Sequence, residues 1–397
     1  MNLLSNDGLK ELLKNGYLWL FKVVFNFCKV FPKKNKVTFV VGFTGNPTFV
    51  INEMIMNNLS AEIVLLCKPK IIKPLQRKFN NISIIPFESP NAIQWIRAIR
   101  HLASSKIIII DNYYAFLSVI DFKEGVECIQ LWHAAGALKA FGLKDRSVIY
   151  RNEIAKQRFR KVYQKFDKVI VGSDAMANIF MDAFDVSRQS ILRTGIPRTD
   201  FFYNLESIEA AQAYFYSKYP IFKEKKVILY APTFRDYEFD SCKMHLDIRE
   251  MYQELNDEYV LLIKLHPTVK IDTNLESQYP NFAFDFSSLR GINRLLTIVD
   301  FLITDYSSIP FEFAFLKKPM IFFLPDLKTY QRERGTIPNF LQEIPGPKCF
   351  DTSEIIEVIK GNQFDIKLIH EFSNKWNRYS NGTSSKKLEQ YIRSKLT

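Results

Sequence analysis

The chain has 397 residues, a formal charge of +12, and 47% hydrophobic and 14% aromatic residues. This content excludes a disordered polyelectrolyte and allows two or three domains with cores of their own. Five cysteines, at 28, 67, 128, 242 and 349, are scattered without CxxC spacing, which speaks against a zinc site and for a reducing compartment.

The N-terminal stretch 9–34 mixes Trp19, Phe21, Phe25 and Phe27 with Lys10, Lys14, Lys22 and Lys29. Lys22 and Lys29 interrupt the apolar residues, so no run reaches the ~18 residues of a spanning helix. No small-residue cleavage site follows, and no secretory signal is read. Two readings are open. The stretch forms a helix lying in an anionic membrane interface, or a helix that covers the first domain's core.

From residue 36 the pattern alternates strand and helix. Strand-like runs lie at 37–43, 61–67, 82–87, 106–111, 126–132, 168–172 and 191–194, with a basic helical segment at 150–166. Several runs are apolar throughout, as in a parallel sheet covered on both faces. Gly42 and Gly45 are too few for a GxGxxG fingerprint, so a dinucleotide-binding dehydrogenase is rejected. The run ending at Leu131-Trp132 is followed by His133, Ala134, Ala135 and Gly136. A histidine at the carboxyl end of a parallel strand points toward the crevice where open α/β sheets bind ligands, and its ordinary pKa suits proton transfer. A lone histidine there also fits a structural role.

An Ala-rich helix at 208–216 and Tyr219-Pro220 mark a break, after which a second series of strands is expected at 226–230, 259–265, 282–286, 301–304, 319–324 and 348–350. Polar residues again sit at strand ends. One group is Pro232, Thr233 and Arg235, another Lys264, Leu265 and His266, and the last Asp305, Ser307 and Ser308. Pro267 holds His266 in an extended conformation. Ser307 and Ser308 can cap a helix whose free amides attract phosphate, or serve as an ordinary N-cap. Residues 366–396 read as helix, broken at Asn381-Gly382. No convincing carboxylate cluster suggests a metal clamp, so neither a metal nor a cofactor is expected.

The segments LWHAAGALKAFGL (131–143), TGIPRTDFF (194–202), LYAPTFR (229–235), LIKLHP (262–267), LTIVDFLITDYSSIPFEFAF (296–315) and YQRERG (330–335), in this order, resemble the glycerophosphotransferase family of wall teichoic acid synthesis. The wording Asp111-Asn112-Tyr113-Tyr114 and WHAAGALK is most similar to its primase branch. The resemblance implies an α/β protein of GT-B architecture, with two Rossmann-like domains, an inter-domain cleft and an N-terminal amphipathic membrane-facing segment. The expected divisions are 1–35 for that segment, 36–205 for an acceptor domain, 206–365 for a CDP-glycerol-binding domain and 366–397 for a helix packing back across both.

The implied reaction moves glycerol phosphate from CDP-glycerol to the N-acetylmannosamine of an undecaprenyl-diphosphate-linked disaccharide, with CMP leaving. One unit, or very few, would be added. His133 matches the position of the base, and His266 would stabilise charge. Arg198, Pro232, Thr233, Arg235, Lys264, Leu265, Ser307, Ser308 and Glu312 match donor-binding positions. Glu312 stands where a relative has Asp. A polymerase of glycerol or ribitol phosphate and an inactive membrane-bound scaffold are the alternatives. The implied partners are the anionic cytoplasmic face of the membrane and other teichoic acid enzymes. Nucleic acid is not among them, because the aromatics fall inside apolar strands and the N-terminal segment.

Overall fold

Runs such as Ile107–Ile110 have no polar face to turn to water, so they pack in parallel sheets covered on both sides. The computed structural model, which describes residues 6–235, 244–265 and 275–396, contains two such sheets. The first comprises β1 (Lys36–Val41), β2 (Glu62–Cys67), β3 (Ser83–Pro86), β4 (Ile107–Ile110), β5 (Glu127–Gln130), β6 (Lys168–Ile170) and β7 (Ile191–Leu192) in the order β3-β2-β1-β4-β5-β6-β7. The second comprises β8 (Lys226–Tyr230), β9 (Tyr259–Ile263), β10 (Ala283–Asp285), β11 (Phe301–Thr304), β12 (Met320–Phe323) and β13 (Lys348–Cys349) in the order β10-β9-β8-β11-β12-β13. Every pairing is parallel. Each expected strand is present, most of them shorter, because the terminal residues leave the ladder to form the loops of the site.

In both sheets the strand order reverses once, between β1 and β4 and between β8 and β11. The chain leaves such a switch point in opposite directions, which opens a crevice at the carboxyl ends of the strands. The candidate site residues that are described follow those ends.

The domains are joined by a tight joint. A Cβ on Gly136 would meet the Phe311 ring at 2.5 Å, so only glycine lets the first domain's loop close on the second. Phe311 is in turn stacked on Phe372 and packed against Trp376, at centroid distances of 5.1 and 4.9 Å, and its carbonyl accepts from Asn377 Nδ2 at 2.8 Å. Helix Ile366–Trp376 carries this contact, and helix Ser384–Leu396 lies on the first domain, where Lys106 Nζ donates to Leu396 O at 2.6 Å. Asp200 caps that helix by accepting from the Ser384 and Ser385 amides.

Helix Asn6–Cys28 turns one face to the first core through Leu18, Phe21, Phe25 and Cys28. Phe21 stacks on Phe116 at 5.0 Å, and Arg158 Nη2 donates to Glu11 at 2.7 Å. Its other face leaves Leu12, Leu13, Trp19 and Phe27 exposed. Among the described residues no helix is long and apolar enough to cross a membrane.

Gly136→Ala should lower the unfolding free energy by about 1–3 kcal/mol, the usual cost of overpacking. Urea denaturation measures it; an unchanged midpoint and slope would mean that the joint yields freely.

Candidate active site

His133 stands three residues beyond the β5 end, after Trp132, whose φ of +57° lies in the left-handed region. For a bulky residue this conformation costs on the order of 1–3 kcal/mol and persists only where the surroundings enforce it. Here Trp132 packs on Phe141, Phe180 and Phe184. Its amide donates to Gln130 Oε1 at 2.8 Å, and its carbonyl accepts from Asn46 Nδ2 at 3.1 Å. The sharp turn aims His133 at the second domain.

The imidazole is stacked on Phe43 at 4.8 Å, and its Nδ1 lies 3.1 Å from the Asp111 carbonyl. A carbonyl only accepts, so Nδ1 carries the proton and Nε2 keeps its lone pair. Burial lowers the His133 pKa to about 4; the Arg198 and Lys139 charges add to this, while the bond to Asp111 opposes it. The ring is therefore neutral at physiological pH, with one nitrogen ready to accept a proton. The Asp111 carboxylate accepts from the Gly42 and Phe43 amides, at 2.8 to 3.0 Å, and from the Tyr114 hydroxyl at 2.8 Å. Burial pushes this carboxyl up to about 6. The amides that meet phosphate in a dinucleotide fold are thus already occupied.

Arg198 ties this half of the site to the other. Its Nη1 donates to the His133 carbonyl at 2.7 Å, its Nη2 pairs with fully buried Glu312, and its amide is held by Asn46 Oδ1 at 3.1 Å. Burial raises the Glu312 carboxyl, and Arg198 pulls it back down. Arg198 Nε and Glu312 Oε2 are buried without a hydrogen-bond partner.

Across the cleft, Asp305 accepts from the Thr233 amide at 2.8 and 3.0 Å, and Arg235 locks that loop. Its guanidinium grips Asp326 through Nε and Nη2, at 2.6 and 3.0 Å, and reaches the Thr233 carbonyl and Asp305 through Nη1. Lys264 Nζ donates to the Leu289 carbonyl at 2.7 Å and lies near those of Phe286 and Ser287, while the Leu265 amide donates to Ser287 Oγ. Ser307 Oγ accepts from the Ile309 amide at 3.2 Å, but Ser308, the residue in the N-cap position, makes no side-chain cap bond. The helix that follows, Ile309–Phe313, is only five residues long, too short for the strong dipole expected of a phosphate-binding helix. What this turn offers a ligand is chiefly the two hydroxyls.

Together these walls enclose a cavity of about 330 Å³. His133 and Lys139 line one side, and Pro232, Thr233, Lys264, Leu265, Ser307 and Ser308 the other. Thr233 Oγ1 is buried there without a partner. Arg235 and Glu312 stand behind the wall, and His266 lies outside the described residues. A second groove of about 940 Å³, lined by Phe43, Asn52, Lys78, Arg198 and Arg290, opens on the far side of Phe43 and Arg198. Sequence reasoning named Asp111 only as part of a motif and passed over Asn46 and Gln130, all three of which hold backbone groups of the site. A polar residue buried beside a strand end was the available signal. Because the folded state binds fewer protons at His133 than the unfolded chain, its contribution to stability is present above pH about 6.5 and is lost as pH falls through about 4. Selectively labelled His133 should titrate near pH 4 with the Nδ1-protonated tautomer in NMR; titration near 6.5 would show an open, hydrated ring.

The sequence profile described as CDP-Glycerol:Poly(glycerophosphate) glycerophosphotransferase matches residues 23–394. The chain is 35% identical over 384 residues to a teichoic acid glycerol-phosphate primase of Bacillus subtilis, covering 97% of this chain and 98% of that one. It is 37% identical over 361 residues to a primase of the same description from Bacillus spizizenii, covering 91% and 93%. The fold is similar to that of the wall teichoic acid polymerase TagF, with a TM-score of 0.78 at 23% identity over 97% of this chain and 95% of the other. The two parallel-sheet domains, the cleft between their switch points and a profile match over nearly the whole length carry one conclusion: the chain belongs to the CDP-glycerol:poly(glycerophosphate) glycerophosphotransferase family.

Proposed function

We propose that this enzyme transfers glycerol phosphate from CDP-glycerol to the N-acetylmannosamine hydroxyl of an undecaprenyl-diphosphate-linked disaccharide, the step that primes wall teichoic acid synthesis. The observation that carries the reading is His133 at the cleft wall, neutral, with its tautomer fixed by Asp111 and the hydroxyls of Ser307 and Ser308 opposite. The identity to primases over nearly their whole length supports the priming step.

In this reading the acceptor hydroxyl oxygen attacks the glycerol-bearing phosphorus. The bond from that phosphorus to the oxygen shared with CMP breaks, and CMP leaves with the electron pair. The hydroxyl proton passes to His133 Nε2. Positioning and charge stabilisation supply most of the acceleration in such a transfer. Ser307, Ser308 and Thr233 bind the diphosphate, and Pro232, Lys264 and Leu265 shape the floor of the site. Arg198 sets the height of His133 and is itself anchored by Glu312 behind the wall. Arg235, committed to Asp305 and Asp326, acts by holding Thr233 in place. His266 keeps its sequence-based assignment to charge stabilisation.

The acceptor is a lipid, so the protein works at the cytoplasmic membrane surface as a peripheral enzyme. The outer face of helix Asn6–Cys28, with Trp19 66% and Phe27 74% exposed among its lysines, supports this. Ile93, Tyr150 and Ile154 are exposed as well.

Three results test the reading. His133→Ala should lower transfer by about 10²–10⁴-fold while CDP-glycerol binding stays within a few-fold; near-normal turnover would remove His133 as the base. A time course with excess CDP-glycerol and limiting disaccharide lipid, read by mass, should stop at one added unit, whereas a long ladder would identify a polymerase. Trp19→Glu with Phe27→Glu should abolish salt-sensitive binding to anionic vesicles and leave the fold intact, since the inner face of the helix is untouched; undiminished binding would exclude this face.

A further inference from the structure

The nucleotide donor carries a diphosphate, and the cleft must meet that charge with cations or hydrogen-bond donors. Among the described residues two cationic side chains line the cavity, Lys139 and Lys264. Lys264 is spent on the loop at 286–289, where its Nζ faces three carbonyls. Two arginines stand close behind the wall. Arg198 is spent on the His133 carbonyl and Glu312, and Arg235 on Asp326, Asp305 and the Thr233 carbonyl. Lys139 has no hydrogen bond or ion pair to its side chain among the described residues.

Its backbone, by contrast, is firmly held. Lys139 forms an antiparallel bridge with Thr336 of the second domain. On either side the Ala140 amide donates to Gly335 O and the Ile337 amide to Leu138 O, both at 3.1 Å. The bridge depends on Gly335, at φ +81°, where a Cβ would press on Ala140 at 3.3 Å. A lysine clamped at its main chain and unpaired at its side chain, on the wall of a cleft, is arranged to receive an anion. The protein around the cleft lowers the Lys139 pKa by desolvation, and the Asp305 carboxylate opposite works against that. A bound diphosphate would reverse the deficit.

We propose that Lys139 binds the diphosphate of the nucleotide donor, as the first domain's contribution to a site otherwise built from Thr233, Ser307 and Ser308 of the second. This rests on the glycerol phosphate transfer proposed above. Because the bridge to Thr336 fixes Lys139 relative to both domains, the donor would be gripped from both sides of the cleft. Lys139 would also offset the negative charge that gathers on the departing CMP.

Calorimetric titration of the full chain with CDP-glycerol and with cytidine tests this, for wild type, Lys139→Ala and Lys139→Arg. Lys139→Ala should weaken CDP-glycerol by about 10–100-fold, the scale of one charge-assisted bond. Cytidine affinity and the melting temperature should not change, and Lys139→Arg should recover most of the loss. The salt dependence of CDP-glycerol binding should become shallower in Lys139→Ala. CDP-glycerol binding by Lys139→Ala within twofold of wild type, or equal losses for cytidine and CDP-glycerol, would overturn the assignment. Failure of the wild type to bind CDP-glycerol at all would instead overturn the proposed function, and this inference with it.

Discussion

The ion pair of Arg198 with Glu312 is the contact on which the site depends. One guanidinium holds the carbonyl of His133 in the first domain and a buried carboxylate in the second. Taking both charges out of water is expensive, and such a pair breaks even only with good geometry and further hydrogen bonds. Here the Asn46 side chain supplies a supporting bond by fixing the Arg198 amide, and it also holds the Trp132 carbonyl. The same asparagine thus sets the strained turn before His133 and the arginine that ties it across the cleft. A burial that is poor value for stability is well suited to fixing two domains in one register.

The two switch points are built alike. Asp111, after β4, accepts from the amides of Gly42 and Phe43 after β1; Asp305, after β11, accepts from the Thr233 amide after β8. In each case a buried carboxylate closes the crevice with the backbone of the neighbouring loop. The difference lies in what stands next to it. In the first domain the aspartate carbonyl orients His133, and in the second the aspartate precedes two serines that open on the cavity. In the proposed reaction the first domain would supply proton chemistry and the second hydroxyls to phosphate.

The strands were legible in the sequence because a parallel sheet demands continuous apolar runs, and that signal is local. His133, Thr233, Lys264, Ser307 and Ser308 were legible because they follow those runs, and the fold brings them to one cavity. What was not legible depends on pairings between distant segments. Nothing in the stretch LYAPTFR says that Arg235 is consumed by Asp326, 91 residues on. Nothing near Ser308 says that the helix ends after five residues. Lys139 stood in the quoted motif, but its open side chain stands out only when the partners of its neighbours are known. For helix Asn6–Cys28 the reading of a helix that covers the first core describes one face, while the other face is open to solvent.

The central claim is that the cavity between His133 and Ser307-Ser308 is where the donor is held and cleaved. A crystal structure of the His133→Ala protein soaked with CDP-glycerol tests it most directly. The account predicts density for a diphosphate against Ser307, Ser308 and Lys139, with the glycerol-bearing phosphorus facing the vacated imidazole position. Nucleotide density in the groove lined by Phe43, Asn52 and Arg290 instead, with the 330 Å³ cavity left to solvent, would contradict it.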